Sequence, residues 1–394
     1  MMIRPLILIA LGFSFLLLGL SACQSDQSSD TESIPPADLN WTALADKFAE
    51  RMDLQAGERV VLLARKGRFD PLIPLLREKV KAAGGEDLGV INADGAAPEE
   101  WATFFTKELE EKSYNDMVAL LEIIDLGIMM PGVTPEDSVY AAIQDVLRRR
   151  LGRTIHFHWA GAYDLNGNEL VVTPQIDDFY ERVVLETDYA KLAADQQRFE
   201  EAMRGKTILV KDPAGTAISF EIRDRPVTKQ DGDASAKRAA MAENLIDREI
   251  ELPAGAVRVA PFEYTVNGNI AFPDAPWNGQ MVQGLSMTFK QGEVIEILAG
   301  SGKDAVLAEL KEAGQASWRF REFALGFNPL MAIPEDNPWI PYYGYGAGVV
   351  RLSLGDNTEL GGKVEGGYVR WNFFTNATVI VGDEVWVENG KLIK

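Results

Sequence analysis

The sequence is poor in the two residue types that most often mark reactive or metal-binding sites. Its 394 residues include one cysteine, Cys23, and two histidines, His156 and His158. A single cysteine excludes an intramolecular disulfide. No serine–histidine or cysteine–histidine catalytic pair is indicated, because Cys23 lies near the N-terminus in an apolar segment and both histidines lie in the first half of the chain.

Positive charge is scarce as well. The chain has 39 Lys and Arg against 59 Asp and Glu, which gives a formal net charge of −20 and a pI near 4.6. This balance argues against nucleic-acid binding and against adhesion to acidic lipid headgroups by charge. The remaining composition is that of an ordinary globular protein, with 46% hydrophobic and 25% charged residues.

The first 40 residues are predicted to lie outside the fold. Arg4 is followed by an apolar run over 5–20 and by Leu20-Ser21-Ala22-Cys23, which resembles a bacterial lipoprotein signal. The rival interpretation, an uncleaved membrane span, needs about 20 apolar residues, more than this run offers. We therefore expect residues 1–22 to be a signal peptide, Cys23 to be lipidated and residues 23–40 to be a flexible, acidic tether. Gln24 after the cysteine predicts outer-membrane retention facing the periplasm in a Gram-negative cell.

The remaining chain is predicted to form two domains of mixed α/β class. Residues 41–186 alternate strand and helix patterns, such as the apolar run 59–65 and the helix pattern 71–83, which predicts a mainly parallel sheet covered by helices. Residues 187–394 begin with a connecting helix and continue with antiparallel hairpins in an α+β arrangement. Two of these hairpins are predicted to pair residues 207–211 with 218–222 and residues 285–289 with 294–298. A further strand is expected over 378–387.

The candidate site lies between Trp318 and Asn372. Glu322 sits among apolar residues, Arg351 opens an alternating strand-like run, and Arg370 and Asn372 flank Trp371. These polar side chains come from separate segments that a compact fold can bring together. An aromatic, Gly-rich loop over 338–348 is expected at the mouth of the pocket, where Trp339 and Tyr345 are candidate ligand contacts; simple packing of the loop is the alternative.

Three segments resemble the aminopeptidase T / aminopeptidase S family of metallo-aminopeptidases: LPAGAVRVAP (252–261), EFALGFNP (322–329) and RLSLG (351–355). The resemblance extends over about residues 41–394 and implies a dinuclear metal site. It maps the family's metal ligands onto five positions, namely Ala256, Glu322, Arg351, Arg370 and Asn372. Only Glu322 keeps the family residue, and the family's tyrosine falls on Thr358.

These substitutions predict that the metal site is lost. Two divalent cations need several deprotonated oxygen and nitrogen ligands, and a guanidinium is not one. A buried Glu322 without a metal needs another cation, so we expect Arg351 or Arg370 to form a bidentate pair with it. The alternative is that both arginines are solvated charges at strand ends. No cofactor is expected, and two divalent ions are expected only if the peptidase activity persists.

Three functions remain open. The leading hypothesis is a lipid-anchored envelope protein that binds a carboxylate-bearing small molecule or peptide, or assists a partner, without catalysis. The second is an aminopeptidase with a rebuilt site, or an enzyme in which Glu322 is a general base with a raised pKa. The third is a structural envelope lipoprotein. The family resemblance also implies a homodimer.

Three weaker motifs are set aside. His156 and His158 share a strand face but lack further ligands for a metal. Asp164, Asn166 and Asn168 lack the spacing of a calcium loop, and Asn166-Gly167 is typical of a tight turn. The GSGK segment 300–303 lacks the first glycine of a phosphate-binding loop.

Overall fold

The computed structural model describes residues 38–394 of the chain. The predicted signal peptide, Cys23 and the tether up to residue 37 lie outside the described residues. None of the helices within this described part is both long enough and apolar enough to cross a lipid bilayer.

Nine α-helices are found between residues 38 and 394: α1 Trp41–Met52, α2 Leu72–Ala82, α3 Phe104–Glu110, α4 Tyr114–Leu121, α5 Ser138–Arg148, α6 Pro174–Glu186, α7 Tyr189–Met203, α8 Ala236–Ala240 and α9 Lys303–Ala313. Side-chain caps explain where several of these helices begin. Asn40 accepts a hydrogen bond from the Ala43 backbone at 3.0 Å, and Thr173 caps α6 just before Pro174.

The strands of the same residues are β1 Arg59–Ala64, β2 Glu86–Asn92, β3 Leu126–Met129, β4 Arg153–Phe157, β5 Thr207–Lys211, β6 Ala217–Glu221, β7 Thr228–Lys229, β8 Glu249–Leu252, β9 Ala256–Val259, β10 Asn267–Ala271, β11 Ala275–Trp277, β12 Gln280–Val282, β13 Ser286–Lys290, β14 Glu293–Leu298, β15 Phe320–Gly326, β16 Val350–Gly355, β17 Val369–Phe374, β18 Thr378–Val381, β19 Glu384–Glu388 and β20 Lys391–Leu392.

The first sheet is parallel, in the order β2-β1-β3-β4-β8. Its central strands are apolar and buried, as expected for a sheet covered by helices on both faces. The fifth strand, β8, comes from the second half of the chain. The predicted domain boundary at residue 186 stays a prediction, although this strand crosses it.

The second half contains two further sheets besides the two-stranded pair β11-β12. An eight-stranded sheet has the order β14-β13-β10-β6-β5-β18-β19-β20, and a five-stranded sheet has the order β17-β16-β15-β9-β7. The pairings in both are antiparallel, including the two predicted hairpins β5–β6 and β13–β14. The mixed α/β class predicted from the sequence is therefore confirmed.

The predicted strand over 378–387 is wrong in one detail. A turn at Gly382, with a φ of 60°, divides it into β18 and β19, which pair with each other. Glycine adopts this left-handed backbone conformation at low cost, so the reversal is possible within three residues.

Candidate functional site: an arginine cluster beside a cleft

The predicted carboxylate, Glu322, is held on the central strand of the five-stranded sheet. On β9 and β16, which flank this strand, Arg258 and Arg351 both lie opposite Ala324. Opposed residues share a sheet face, and Glu322 is two positions from Ala324, so all three charged side chains point the same way. A shift of strand register between Phe320 and Glu322 brings Arg321 to the same carboxylate.

Three guanidinium groups surround Glu322. Arg258 Nε and Arg351 Nη2 donate to its Oε1 at 2.8 and 2.7 Å. Arg258 Nη2 donates to Oε2 at 3.4 Å, and Arg321 Nη1 donates to the same oxygen. Glu359 completes the group, because it accepts hydrogen bonds from Arg258 Nη2 at 3.2 Å and from Arg321. We call these five residues the arginine cluster.

Burial makes the electrostatics of the arginine cluster strong. Glu322 is completely buried, and its three arginine partners are at most 4% exposed. Removal from water by itself raises the pKa of the Glu322 carboxyl. The charges of Arg258, Arg351 and Arg321 outweigh that effect and hold its pKa well below the usual range. The alternative that Glu322 is a general base with a raised pKa is therefore wrong.

Arg370 and Asn372 do not join the cluster, which corrects their predicted position. In the pairing of β16 with β17, Arg351 lies opposite Phe373, so the side chain of Trp371 shares its face and those of Arg370 and Asn372 point to the other face. Arg370 instead stacks on Trp277 at 3.5 Å and donates to Glu309 at 2.9 Å. The Asn372 amide donates to the Leu352 carbonyl at 3.2 Å.

The arginine cluster borders a cleft of about 570 Å³ at the carboxyl ends of β1, β3 and β4. This edge of a parallel sheet is a common place for ligands. Its lining combines five cations (Arg65, Lys66, Arg68, Arg258 and Arg351), three carboxylates (Glu249, Glu251 and Glu359), both histidines and six aromatic residues (Phe69, Tyr140, Trp159, Tyr343, Tyr345 and Trp371). The cleft can therefore bind a charged ligand against an aromatic wall.

The aromatic loop contributes part of that wall. Tyr345 is buried under the Arg351 guanidinium at 5.7 Å, and Trp371 lies under the same group at 4.9 Å. Tyr343 adjoins Trp371 with ring centroids 5.2 Å apart, and its backbone φ of 51° is unusual for an aromatic residue. Trp339 packs instead against Phe179 at 5.0 Å and is not part of the cleft lining.

The two histidines are packed polar groups of the cleft wall. His156 Nδ1 lies 3.0 Å from the Tyr140 hydroxyl, and Nε2 lies 2.8 Å from Thr154 Oγ1. Burial lowers the pKa of both rings, and the neighbouring His158 lowers that of His156 further. Both ring nitrogens of His156 are thus satisfied by hydroxyl groups, and the ring is held neutral.

The side chains of the arginine cluster do not fit two divalent metal ions. At the only family position that keeps its carboxylate, both Glu322 oxygens already accept hydrogen bonds from guanidinium groups. Among residues 38–394, no group of three or more His, Cys, Asp or Glu side chains is placed to hold a metal. Three fixed positive charges also repel a divalent cation.

The sequence did not reveal several of these residues. Arg258 and Arg321 were missed because the family pattern places no ligand at either position. The signal was nevertheless present, because an arginine within the apolar strand sequence AVRV requires a buried anionic partner. Glu249 and Glu251 were missed because nothing local indicates that β8 joins the first sheet.

Comparisons with known proteins agree with the fold and the family. Residues 206–334 match the family described as thermophilic metalloprotease (M29). A solved structure of 2,5-dihydroxypyridine dioxygenase from Pseudomonas putida KT2440 is similar, with a TM-score of 0.59 and 15% identity over 89% of this chain and 96% of that one. Wild-type AmpT from Thermus thermophilus has a TM-score of 0.55 and 16% identity over 89% and 99% of the two chains. No curated protein sequence matches.

The family resemblance predicted from the sequence is therefore confirmed: residues 206–334 match the M29 family, and the chain has a metallopeptidase-like fold. The two solved structures, at 15% and 16% identity, show a shared fold alone. One is named a dioxygenase and the other AmpT, so this fold does not by itself determine a reaction.

Proposed function

We propose that this protein binds a small carboxylate-bearing ligand in the cleft beside the arginine cluster and does not hydrolyse peptides with two metal ions. The observation that carries the proposal is the set of three guanidinium groups bound to the retained Glu322. They provide the positive charge that the metals supply in the resembled family. The three guanidinium groups keep a positive charge at the site, but unlike metal ions they are not Lewis acids.

Arg351 is the residue that we expect to contact the ligand. It lines the cleft, its Nη1 donates to the Tyr343 carbonyl at 3.1 Å, and its Nε has no hydrogen-bond partner within the described residues. A buried N–H without an acceptor costs roughly 1–3 kcal/mol, and a carboxylate oxygen can satisfy it after a small shift of the side chain. The planar guanidinium also suits a carboxylate better than an ammonium group does.

The charge and the aromatic residues of the cleft define the class of ligand. The cleft gathers five Arg and Lys side chains in a chain of net charge −20, and Lys66 lies exposed at its mouth. Trp371 is 36% exposed, and the ring of Tyr343 lies beside its ring. We therefore expect a monoanion with an aromatic or apolar part that can lie against these rings.

We further propose, from the signal-like sequence around Cys23, that the protein is lipid-anchored in the cell envelope and acts there as a binding or accessory protein. The outer-membrane face towards the periplasm follows from Gln24 if the cell is Gram-negative. A homodimer is proposed from the family resemblance alone. Metabolic labelling with a fatty-acid analogue, compared between the full chain and Cys23→Ala, tests the anchor.

The binding proposal is tested by measuring metal content, peptidase activity and ligand binding on one preparation. Residues 38–394 are purified without chelator and offered Zn, Mn and Co. We expect less than one equivalent of metal, no hydrolysis of a dipeptide panel, and a raised melting temperature with aromatic carboxylates such as N-acetyl-L-phenylalanine. Two bound equivalents with aminopeptidase activity would overturn the proposal, and no response to any carboxylate would favour a structural role.

A variant pair locates the binding site. Arg351→Met removes one cation but leaves two arginines against two carboxylates in the cluster, so the fold is expected to survive. Affinity for N-acetyl-L-phenylalanine should fall at least about tenfold, the loss of one charged hydrogen bond. Arg182→Met, at an exposed position of α6, is the control and should bind as the wild type does.

A further inference from the structure

Glu249 is a buried carboxyl group in the cleft that no cation neutralises directly. It lies on β8 and is 4% exposed, and Gln144 Nε2 donates to its Oε1 at 3.0 Å. That oxygen is 3.8 Å from His156 Nε2, and the His156 ring is held neutral by its surroundings. The arginine cluster neutralises Glu322 fully, whereas Glu249 has only an amide.

The groups that face Glu249 come from four elements and do not favour its ionised form. Helix α5 contributes Tyr140, Gln144 and the exposed Arg148, which is bound to Asp145. Strand β4 contributes Thr154 and His156, β8 contributes Glu251, and the turn after β16 contributes Glu359. Burial, and then the charges of Glu359 and Glu251, outweigh the Gln144 hydrogen bond and raise the pKa of Glu249 to about 8.

If Glu249 were ionised, its negative charge would repel an anionic ligand in the cleft. Glu249 and the cluster residues Arg258 and Arg351 line one cleft, so a carboxylate bound by the arginines lies within the field of Glu249. Two carboxylates sharing an enclosed site repel each other unless one carries a proton. A protonated carboxyl group instead donates a short, charge-assisted hydrogen bond to an anion.

We propose that Glu249 is a ligand-binding residue that acts as a carboxylic acid, donating its O–H to the ligand's anionic group, so that the cleft takes up a carboxylate together with a proton. This inference rests on the proposed carboxylate-binding function and deepens it. No covalent bond changes: the proton stays on Glu249 when the ligand binds, and it is drawn from solvent when Glu249 is ionised beforehand.

The proposal predicts how affinity depends on pH. Below about pH 8 Glu249 already carries its proton, and affinity should be nearly constant. Above that pH each binding event must take up one proton, so affinity should fall by up to about tenfold per pH unit. Glu249→Gln keeps a neutral hydrogen-bond donor that does not titrate, so it should bind over the whole range and lose this dependence.

Two measurements test the proposal on residues 38–394. Infrared difference spectroscopy between wild type and Glu249→Gln at pH 7 should show the carbonyl stretch of one protonated carboxyl group, which the variant lacks. Calorimetry with N-acetyl-L-phenylalanine at pH 6.5 and 9.5, in buffers of different ionisation enthalpy, should show proton uptake at the higher pH in wild type only. Glu388→Gln, at an exposed position of β19, is the control and should behave as wild type in both.

The outcomes separate this inference from the function on which it rests. If the infrared band is absent, Glu249 is ionised and the inference is overturned whether or not the probe binds. If the band is present and the probe binds without proton uptake at pH 9.5, the acid does not contact the ligand and the inference fails while the binding function stands. If the probe binds at neither pH, the binding function fails and takes the inference with it.

Discussion

At the scale of single residues, the arginine cluster depends on Glu322. The cluster holds three arginines and two carboxylates, an excess of one positive charge, and Glu322→Gln raises that excess to two inside a buried site. Removing one partner of a buried ion pair costs about 3–5 kcal/mol. We expect a loss of that order in the free energy of unfolding, measured by urea titration at pH 7.

The matched control for this variant is Glu388→Gln, which makes the same chemical change at an exposed position and should alter stability by less than about 0.5 kcal/mol. A Glu322→Gln protein as stable as wild type would show that the guanidinium groups are compensated by water or by Glu359 alone. In that event the cluster would not substitute for the metal charge.

The lowered pKa of Glu322 predicts the acid behaviour of the same residue. The pKa of this carboxyl is about 4.3 in the unfolded chain and lies well below that range in the folded protein. The stabilising contribution is therefore fully present above about pH 4.3 and is lost as pH falls through the folded-state pKa. The stability difference between wild type and Glu322→Gln should be constant from pH 5 to 7 and should shrink below pH 4.

Residue by residue, the sequence predicted part of the candidate site. Glu322 and Arg351 were found because the family pattern places functional positions there, and the structure joins them at 2.7 Å. Arg370 was misplaced because a strand presents alternate residues to opposite faces, and the sequence does not specify which face of β17 meets Arg351. Arg258 was missed because its partner is distant in sequence.

At the scale of elements, the order of strands and helices was more predictable than their partners. Local apolar patterns predicted β1, α2 and the hairpin β5–β6 because each element is determined mainly by neighbouring residues. The addition of β8 to the first sheet was not predictable, since a parallel partner can come from any later segment. That single pairing places Glu249 and Glu251 in the cleft.

The aromatic loop is fixed to the end of β15 by close backbone contacts. A Cβ atom at Gly346 would lie 1.8 Å from the Met331 carbonyl oxygen, and one at Gly326 would lie 2.0 Å from the Gly346 carbonyl oxygen. Gly346→Ala therefore forces two backbone segments apart, and we expect a stability loss of about 3 kcal/mol in urea titration. The shift should also move Tyr345 and weaken the binding of N-acetyl-L-phenylalanine.

Gly279→Ala is the control for this loop prediction. Its new methyl group meets no atom within 4 Å, and its φ of 71° adds only the strain of a left-handed residue, about 1–2 kcal/mol. Affinity for the probe should not change, since Gly279 lies outside the cleft lining. Equal losses of affinity in the two variants would mean that the loop is not what positions Tyr345.

At the scale of the whole molecule, the distribution of charge matters more than its sum. A net charge of −20 keeps anionic molecules away from most of the surface, while the cleft collects five Arg and Lys side chains beside three carboxylates. One of those three, Glu249, is neutral below about pH 8. The cleft is thus net positive at neutral pH, which allows it to bind anions that the rest of the protein repels.

The raised pKa of Glu249 has a consequence for the stability of the whole fold. Between about pH 4.3 and 8 this carboxyl is ionised when the chain is unfolded and protonated when it is folded, so the native state binds the extra proton. Stability therefore falls as pH rises through that window, by up to about 1.4 kcal/mol per pH unit from this group, and levels off above pH 8.

The variant Glu249→Gln tests this dependence on pH. Because a glutamine side chain does not titrate, the variant does not lose stability in this way. In urea titrations from pH 5 to 9, the variant should gain stability relative to wild type up to about pH 8 and then stay constant, whereas Glu388→Gln should follow wild type throughout. The histidines act in the opposite direction below about pH 6.5, because they are buried neutral, and they cancel in the comparison. A difference that is flat with pH would mean that Glu249 is ionised in the folded protein and that the cleft presents three negative charges to its ligand.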